Sequence, residues 1–456
     1  MKILGTIASA TREAPSAPTI GTATNIGTGR AYNNGAATVT FTPPVVNTGP
    51  AITSYIATSS PGGFTGTGTS SPITVTGLQS STSYTFTVAS VSSGRPSTPS
   101  AASNSITATT VPQAPTIGTA TGGVSSATVT YTAGATGGST VTAYTATSSP
   151  GSLTGTGASP ITVSGLTDGT AYTFTMKATN SNGTSIASAA SNSVTPFNPY
   201  PIVTGGTLTS DATYYYRTFT VNGTLGVSGN AALVTDVLLI AGGGAGGYDG
   251  GGGGGAGGLV YAPSTSYSSN ATITIGAGGT ALTSGRGNSG GNSTCTGVTT
   301  AIGGGGGGGD IGAAQRAGAN GGSGGGGAYI NGSTAAGLGT AGQGTDGGAD
   351  GGGGGGAGTK GADRVGFVVG NGGDGLTYFG NTYAGGGGSG VDGQPTGATG
   401  GTGGGGNGGG GNTGPGSNAT FYGSGGGGGS GGGFANAGNG YQGICIFRYT
   451  RSQVGG

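Results

Sequence analysis

The stretch DVLLIAGGGAGGYDGGGGGGAGGLVY, residues 236–261, decides how the second half of this 456-residue chain folds. It opens with a short continuous apolar run, residues 237–241, that is typical of a buried β-strand. It passes through a glycine run at residues 250–255 and returns to apolar residues at 259–261. A flexible glycine linker does not require β-strands directly before and after it. The stretch therefore predicts an ordered glycine segment held between strands.

Most of the 119 glycines lie after residue 200, in runs such as residues 303–309 and 351–356. They do not follow a Gly-X-Y repeat, so collagen is excluded. An extended helix with three residues per turn makes no internal hydrogen bonds, so each N–H must reach a neighbouring chain. Without a Cβ, several such helices can pack closely. We therefore predict a bundle of threefold glycine helices.

The first half of the chain contains a duplication. APTIGTAT at residues 17–24 recurs at 114–121, and ITVTGL at 73–78 recurs as ITVSGL at 161–166. Runs such as YTFTV, residues 84–88, alternate apolar and polar side chains, which is typical of half-buried strands. About seven short strands per repeat of some 90 residues predict two β-sandwiches in tandem.

These repeats resemble fibronectin type III domains, through the AP pairs at 17–18 and 114–115, the GL pairs at 77–78 and 165–166, and the tyrosines Tyr84 and Tyr172. The resemblance implies that each tyrosine packs at a strand corner with its hydroxyl bonded to the backbone. Phe41 and Tyr131 stand about where the family has a core tryptophan. We predict an all-β fold with an N-terminal arm (1–14), two fibronectin type III-like sandwiches (15–110 and 111–197) and a glycine-rich domain (198–456).

The glycine-rich half resembles the glycine-rich domains of bacteriophage tail-fibre proteins and tip adhesins. The resemblance is carried by DVLLIAGGG (236–244), GGLVY (257–261), ITIGAGG (273–279) and GICIFRY (443–449). It implies a bundle of polyglycine II helices whose end loops touch a host receptor.

The composition argues against catalysis. The chain has no His, and Glu13 is its one glutamate, so it lacks the usual general base and the commonest metal ligand. We expect a protein that is not an enzyme and needs no cofactor or metal. Aspartates near residues 346–350 and 374 lack the tandem register of calcium-binding repeats.

The charge and apolar patterns limit the partners. A net charge of +1 without a basic cluster predicts no nucleic-acid binding, and the chain has no long apolar run for membrane insertion. The apolar stretch within residues 1–12 is too short for a signal peptide, which favours an N-terminal strand or an arm that docks other virion proteins. Cys295 and Cys445 either pair in the fold or are two small buried residues.

The loops between glycine runs contain larger side chains. Aromatic side chains give a large contact area at low entropic cost, as in antibody loops. The candidate receptor-binding residues are Tyr329, Tyr378, Phe379, Asn381, Tyr383, Phe421 and Tyr422. The alternative is that these aromatics cap the ends of the glycine bundle.

We therefore predict a virion protein on the particle surface, a phage tail fibre or tip adhesin that binds a host surface glycan or an outer-envelope protein. A homo-oligomer is expected, with a trimer among the candidates. One alternative is a capsid or head decoration protein with a purely structural role. A second is a cellular surface adhesin, which the absent signal peptide disfavours.

Overall fold

The computed structural model describes residues 14–45, 51–330, 333–432 and 435–455. It confirms the all-β fold: within these ranges, helical structure is confined to a short α-helix (Ala313–Arg316) and a 3-10 helix (Arg451–Val454). The chain divides into two compact units, Met1–Asn198 and Pro199–Gly456. The predicted N-terminal arm lies outside the described residues except for Ala14.

The first sandwich contains β1 (Thr19–Ile26), β2 (Gly35–Thr42), β3 (Ser54–Ser60), β4 (Thr65–Gly68), β5 (Ile73–Leu78), β6 (Ser83–Ser92), β7 (Arg95–Pro96) and β8 (Ile106–Thr107). One antiparallel sheet has the order β1-β2-β5 and the other β4-β3-β6-β7, with β8 paired to β6. Tyr84, Phe86 and Val88 face the core, as the alternation of residues 84–88 predicts.

The second sandwich repeats this plan with β9 (Thr116–Gly123), β10 (Ser126–Thr132), β11 (Val141–Ser149), β12 (Thr154–Thr156), β13 (Ile161–Ser164), β14 (Thr173–Asn180) and β15 (Gly183–Thr184). Its sheets have the orders β13-β10-β9 and β12-β11-β14-β15.

The predicted tyrosine corners are present in both sandwiches. Tyr84 and Tyr172 are buried, and their hydroxyls accept hydrogen bonds from the backbone N–H of Gln79 (3.0 Å) and Thr167 (3.1 Å). Phe41 is buried, whereas Tyr131 is half-buried.

Hydrogen bonds join the two sandwiches. Gly29 N–H donates directly to the Asn182 carbonyl (2.7 Å). The buried amide of Asn180 donates to the carbonyls of Thr110 (2.9 Å) and Thr136 (2.8 Å), so it ties the connecting segment to the second sandwich. These hydrogen bonds make a fixed joint between the two sandwiches.

The glycine-rich domain contains β16 (Pro201–Thr204), β17 (Thr207–Ser210), β18 (Tyr214–Phe219), β19 (Gly223–Gly229), β20 (Leu233–Ile240), β21 (Leu259–Tyr267), β22 (Ala271–Thr274), β23 (Ser293–Cys295), β24 (Val298–Ala301), β25 (Leu376–Tyr378), β26 (Asn381–Tyr383) and β27 (Ile444–Thr450). Two sheets, with the orders β16-β19-β22-β23-β24 and β17-β18-β27-β20-β21, contribute side chains to one core. β25 and β26 form a separate hairpin.

The glycine runs form extended threefold helices, and their hydrogen bonds establish this. Along residues 242–247 the N–H groups donate in rotation to three neighbouring runs. The pairs are Gly242 to Gly291 (3.0 Å), Gly243 to Tyr441 (2.9 Å), Gly244 to Gly255 (2.8 Å), Ala245 to Asn288 (2.9 Å), Gly246 to Gly438 (3.0 Å) and Gly247 to Gly252 (2.9 Å). The same neighbouring run returns at every third residue, the period of a polyproline II helix. The predicted glycine bundle is confirmed.

The bundle has two ends, which we name by the connections made there. At the sheet end, glycine runs connect to β-strands; the run that starts at residue 241, for example, directly follows β20. At the turn end, runs reverse through short turns such as residues 248–250. The position of a loop therefore depends on which end its run has reached.

Candidate functional site

The hairpin β25–β26 carries several of the predicted contact residues to the sheet end. Its two central residues, Phe379 and Gly380, both have positive φ (49° and 82°), as a tight two-residue hairpin turn requires. Positive φ is uncommon for a bulky residue. The ring of Phe379 packs edge-on against Tyr216, at a centroid distance of 5.9 Å, which ties the hairpin to β18.

A cavity of about 450 Å³ opens beside this hairpin, and we call it the aromatic cleft. Five of its lining residues are among the candidates predicted from the sequence: Phe379, Asn381, Tyr383, Phe421 and Tyr422. Asp211, which follows β17, and Ile444 and Ile446 of β27 complete much of the wall. The structure therefore brings most of the candidate residues into one concave surface.

The aromatic side chains of the cleft are also packing elements. Tyr383 is only 3% exposed and stacks on Phe421, with centroids 5.2 Å apart. Burial raises the pKa of the Tyr383 phenol. Phe421 and Tyr422 are half-buried, whereas Asn381 is exposed. Tyr383 is thus the buried residue of the cleft wall, and the other three present accessible surface to the cavity.

Tyr378 points away from the aromatic cleft. Its ring packs on Tyr261 at a centroid distance of 4.8 Å, and it lines a neighbouring cavity of about 390 Å³. Tyr378 is therefore the one hairpin candidate that lines this neighbouring cavity and not the aromatic cleft.

An ion pair, a cation–π contact and hydrogen bonds hold residues in and next to the cleft wall in place. Arg448 is paired with Asp236 at 2.6 Å, and its guanidinium lies 4.5 Å from the centre of the Phe379 ring. Burial acts to raise the pKa of Asp236, but hydrogen bonds from Arg448, Ser264 and Tyr261 outweigh it, and the pKa is lowered. The hydroxyl of Tyr216 donates to Asp211 (2.7 Å) and lowers the pKa of that carboxyl. Both carboxylates are therefore ionised at neutral pH.

Tyr329 lies at the turn end, apart from the other candidates. It lines a cavity of about 490 Å³ together with Asp249, Asp310, Asp392 and Arg316. Arg316 pairs with Asp310 at 3.0 Å. The pKa of Asp249 is raised by burial and, in addition, by the charges of Asp310 and Asp392. The predicted set of contact residues is thus divided between the two ends.

The turn end also exposes apolar side chains that were not among the candidates. Val365, Phe367 and Val368 are 77%, 80% and 73% exposed. Their sequence signal is the apolar run VGFVV, residues 365–369, between Arg364 and a glycine. Val369 turns inward and packs near Tyr329.

Two further features are absent from the described ranges. There, no grouping of three or more Cys, Asp or Glu side chains is arranged to hold a metal ion. In the same residues, no helix has the length and apolar character to cross a membrane.

Known protein families match both halves of the chain. The family described as glycine-rich domain matches residues 218–450, just over half of the chain. The chain belongs to this glycine-rich domain family. The fibronectin type III domain family matches residues 23–103, which indicates an adhesion or surface-binding module in the first half.

No curated protein matches this member of the family. Among solved structures, it is similar to the crystal structure of chicken CNTN1 FN1-FN3 domains, with 14% identity over 50% of this chain and 81% of that chain. The TM-score of this comparison is 0.25.

Proposed function

We propose that this protein is a virion component that attaches the particle to its host, as a phage tail fibre or tip adhesin, and that it binds without doing chemistry. The observation that carries the proposal is the aromatic cleft, a concave surface with aromatic faces and hydrogen-bonding groups. The sandwiches act as a stiff spacer, and residues 1–14 dock other virion proteins.

The chemistry of the cleft favours a host surface glycan. Phe421 and Tyr422 meet nearly edge to face, with centroids 5.3 Å apart, so their ring faces point in different directions. Aromatic faces stack on the apolar faces of sugars, while the exposed Asn381 amide both donates and accepts hydrogen bonds. Few such contacts give modest affinity per site, and repeated copies on a particle raise it through avidity.

Binding of the fluorescently labelled full chain to host cells tests the proposal. The double variant Asn381→Ala/Tyr422→Ser should weaken binding about tenfold or more, equivalent to about 1.4 kcal/mol. The matched control is Phe367→Ser, which removes an aromatic side chain that is 80% exposed at the turn end. Circular dichroism would verify that both variants are folded.

The outcomes of this experiment distinguish binding at the aromatic cleft, binding at the turn end and a purely structural role. Loss of binding in the cleft variant alone supports the aromatic cleft. Loss in the Phe367→Ser control alone would move recognition to the turn end. No binding of the unmodified chain to any host cell would reject attachment and favour a head decoration protein, which electron microscopy of the particle would then locate.

A further inference from the structure

The two cysteines lie on opposite sheets of the glycine-rich domain. Cys295 is the last residue of β23, and Cys445 is the second residue of β27. Both are unpaired thiols buried in the same core, with exposed fractions of 4% and 0%. Both thiols therefore lie in the core between the two sheets.

The sheets converge at this point. The hydroxyl of Ser293, on β23, donates to the carbonyl of Ile240, on β20 of the other sheet, at 2.8 Å. Packed sheets normally lie about 10 Å apart, so a direct bond from a short side chain to the opposite backbone marks a narrow gap. Ser293 and Cys295 share one face of β23 because side chains alternate along a strand. Cys445 lies opposite Leu239, the neighbour of Ile240.

The two thiols have different chemical environments. The side chain of Cys445 interacts with the Cys295 thiol and lowers the pKa of Cys295, and the hydroxyl of Tyr267 lies 3.5 Å from the Cys295 sulfur. Burial raises the pKa of Cys445. Because the thiolate is the nucleophile, Cys295 reacts first. Its strand is next to the edge strand β24, so local opening of that edge would give a reagent access to Cys295.

We propose that Cys295 and Cys445 form an inter-sheet disulfide when the protein is exposed to a low-molecular-weight disulfide such as oxidised glutathione. The Cys295 thiolate attacks one sulfur of the reagent, forms a mixed disulfide and releases one glutathione thiolate. The Cys445 thiol then loses its proton and attacks the Cys295 sulfur, which releases the second glutathione. The protein loses two hydrogen atoms, and the reagent is reduced to two thiols.

The cross-link would close the segment between residues 295 and 445, which contains the glycine runs from residue 303 onward. Closing a long loop restricts the unfolded chain and so stabilises the folded one. This inference is independent of the proposed attachment function, since it concerns only the core of the domain.

The test oxidises the native full chain with oxidised glutathione, then unfolds it in guanidinium with a maleimide and measures the intact mass. We expect a monomer without maleimide or glutathione, in which both thiols become labelled only after reduction. Peptide mapping should recover one peptide pair linked through Cys295 and Cys445. The variant Cys295→Ala should retain one thiol, at Cys445, that takes the label, whereas Cys445→Ala should stop at a glutathione adduct on Cys295, because no second thiol is present to release the glutathione.

Three outcomes would overturn the inference. Two maleimide labels on the oxidised wild-type chain would mean that no bond forms. A persistent glutathione adduct at Cys295 would mean that the Cys445 sulfur cannot reach it. A disulfide-linked dimer on a non-reducing gel would mean that pairing occurs between chains. The measurement on the wild-type chain tests for the disulfide even if an alanine variant fails to fold.

Discussion

Replacing Gly306 by alanine is the sharpest test of the threefold bundle. Gly306 is buried in the middle of the run at residues 303–309. A Cβ added there would collide with the backbone carbonyl of Gly287 in a neighbouring run. Backbone cannot rotate away as a flexible side chain can, so the two runs must separate.

The cost follows from the hydrogen bonds that join these two runs. The three that lie nearest to Gly306 along the run are Gly287 N–H to Gly307 O (2.9 Å), Gly290 N–H to Gly304 O (2.9 Å) and Gly306 N–H to the Ser289 hydroxyl (3.3 Å). At about 0.5–1.5 kcal/mol each, losing all three costs about 1.5–4.5 kcal/mol. The reduced freedom of alanine in the unfolded chain offsets about 0.4–1 kcal/mol of this. The net loss is a large share of the 5–15 kcal/mol typical of a folded protein.

Denaturant unfolding of the full chain, with hydrogen exchange measured by mass spectrometry, supplies the assay. The matched control is Gly291→Ala, because Gly291 is half-buried and the nearest atom to its new Cβ, Ala277 N, lies at 3.1 Å. The control should stay within about 1 kcal/mol of wild type. Gly306→Ala should also speed exchange in neighbouring runs. Equal unfolding midpoints for the two variants would refute the packing argument.

Three further predictions concern the sandwiches and the ion pair. Tyr84→Phe leaves the Gln79 N–H without its acceptor and should cost about 1–2 kcal/mol in urea unfolding; an unchanged midpoint would contradict the corner. Asn180→Ala removes three side-chain hydrogen bonds, two donated to carbonyls and one accepted from the Asn182 N–H, and should cost about 1–3 kcal/mol and speed exchange at the joint between the sandwiches; unaltered exchange there would count against a fixed joint. Because the pKa of Asp236 is lowered in the fold, its stabilisation is present above the unfolded value of about 3.9 and is lost as pH falls through the folded pKa. The melting temperature should change little between about pH 5 and 7, since the chain has no His. Below about pH 4 it should decrease, and less steeply in Asp236→Asn than in wild type. Equal slopes in the two proteins would show that the ion pair with Arg448 is not responsible for the decrease.

The strands and the bundle could be predicted from sequence because each has a period or a steric signature. Alternating side chains identify half-buried strands such as β6, and glycine runs between apolar blocks leave a packed bundle as the ordered solution. The same reasoning identified most of the cleft residues as aromatic side chains in loops, but it did not show that they lie in one cavity.

The division of those aromatics between the two ends could not be predicted. Each passage through the bundle moves the chain to the other end, so a loop's position depends on how many passages precede it. Glycine carries no side chain to mark where one run stops and the next begins. Residues 376–383 therefore reach the sheet end, while Tyr329 and the exposed Phe367 reach the turn end, although all lie between similar glycine runs.

Because successive N–H groups of a glycine run donate to three neighbouring runs in turn, only certain changes in the length of a run preserve its hydrogen bonds. One inserted residue would turn the remainder of a run by about 120° and direct every later N–H towards the wrong neighbour. Three inserted residues would restore the directions and lengthen the run by about 9 Å. The bundle can therefore grow or shrink only in triplets, whereas the turns at its ends accept insertions of any size.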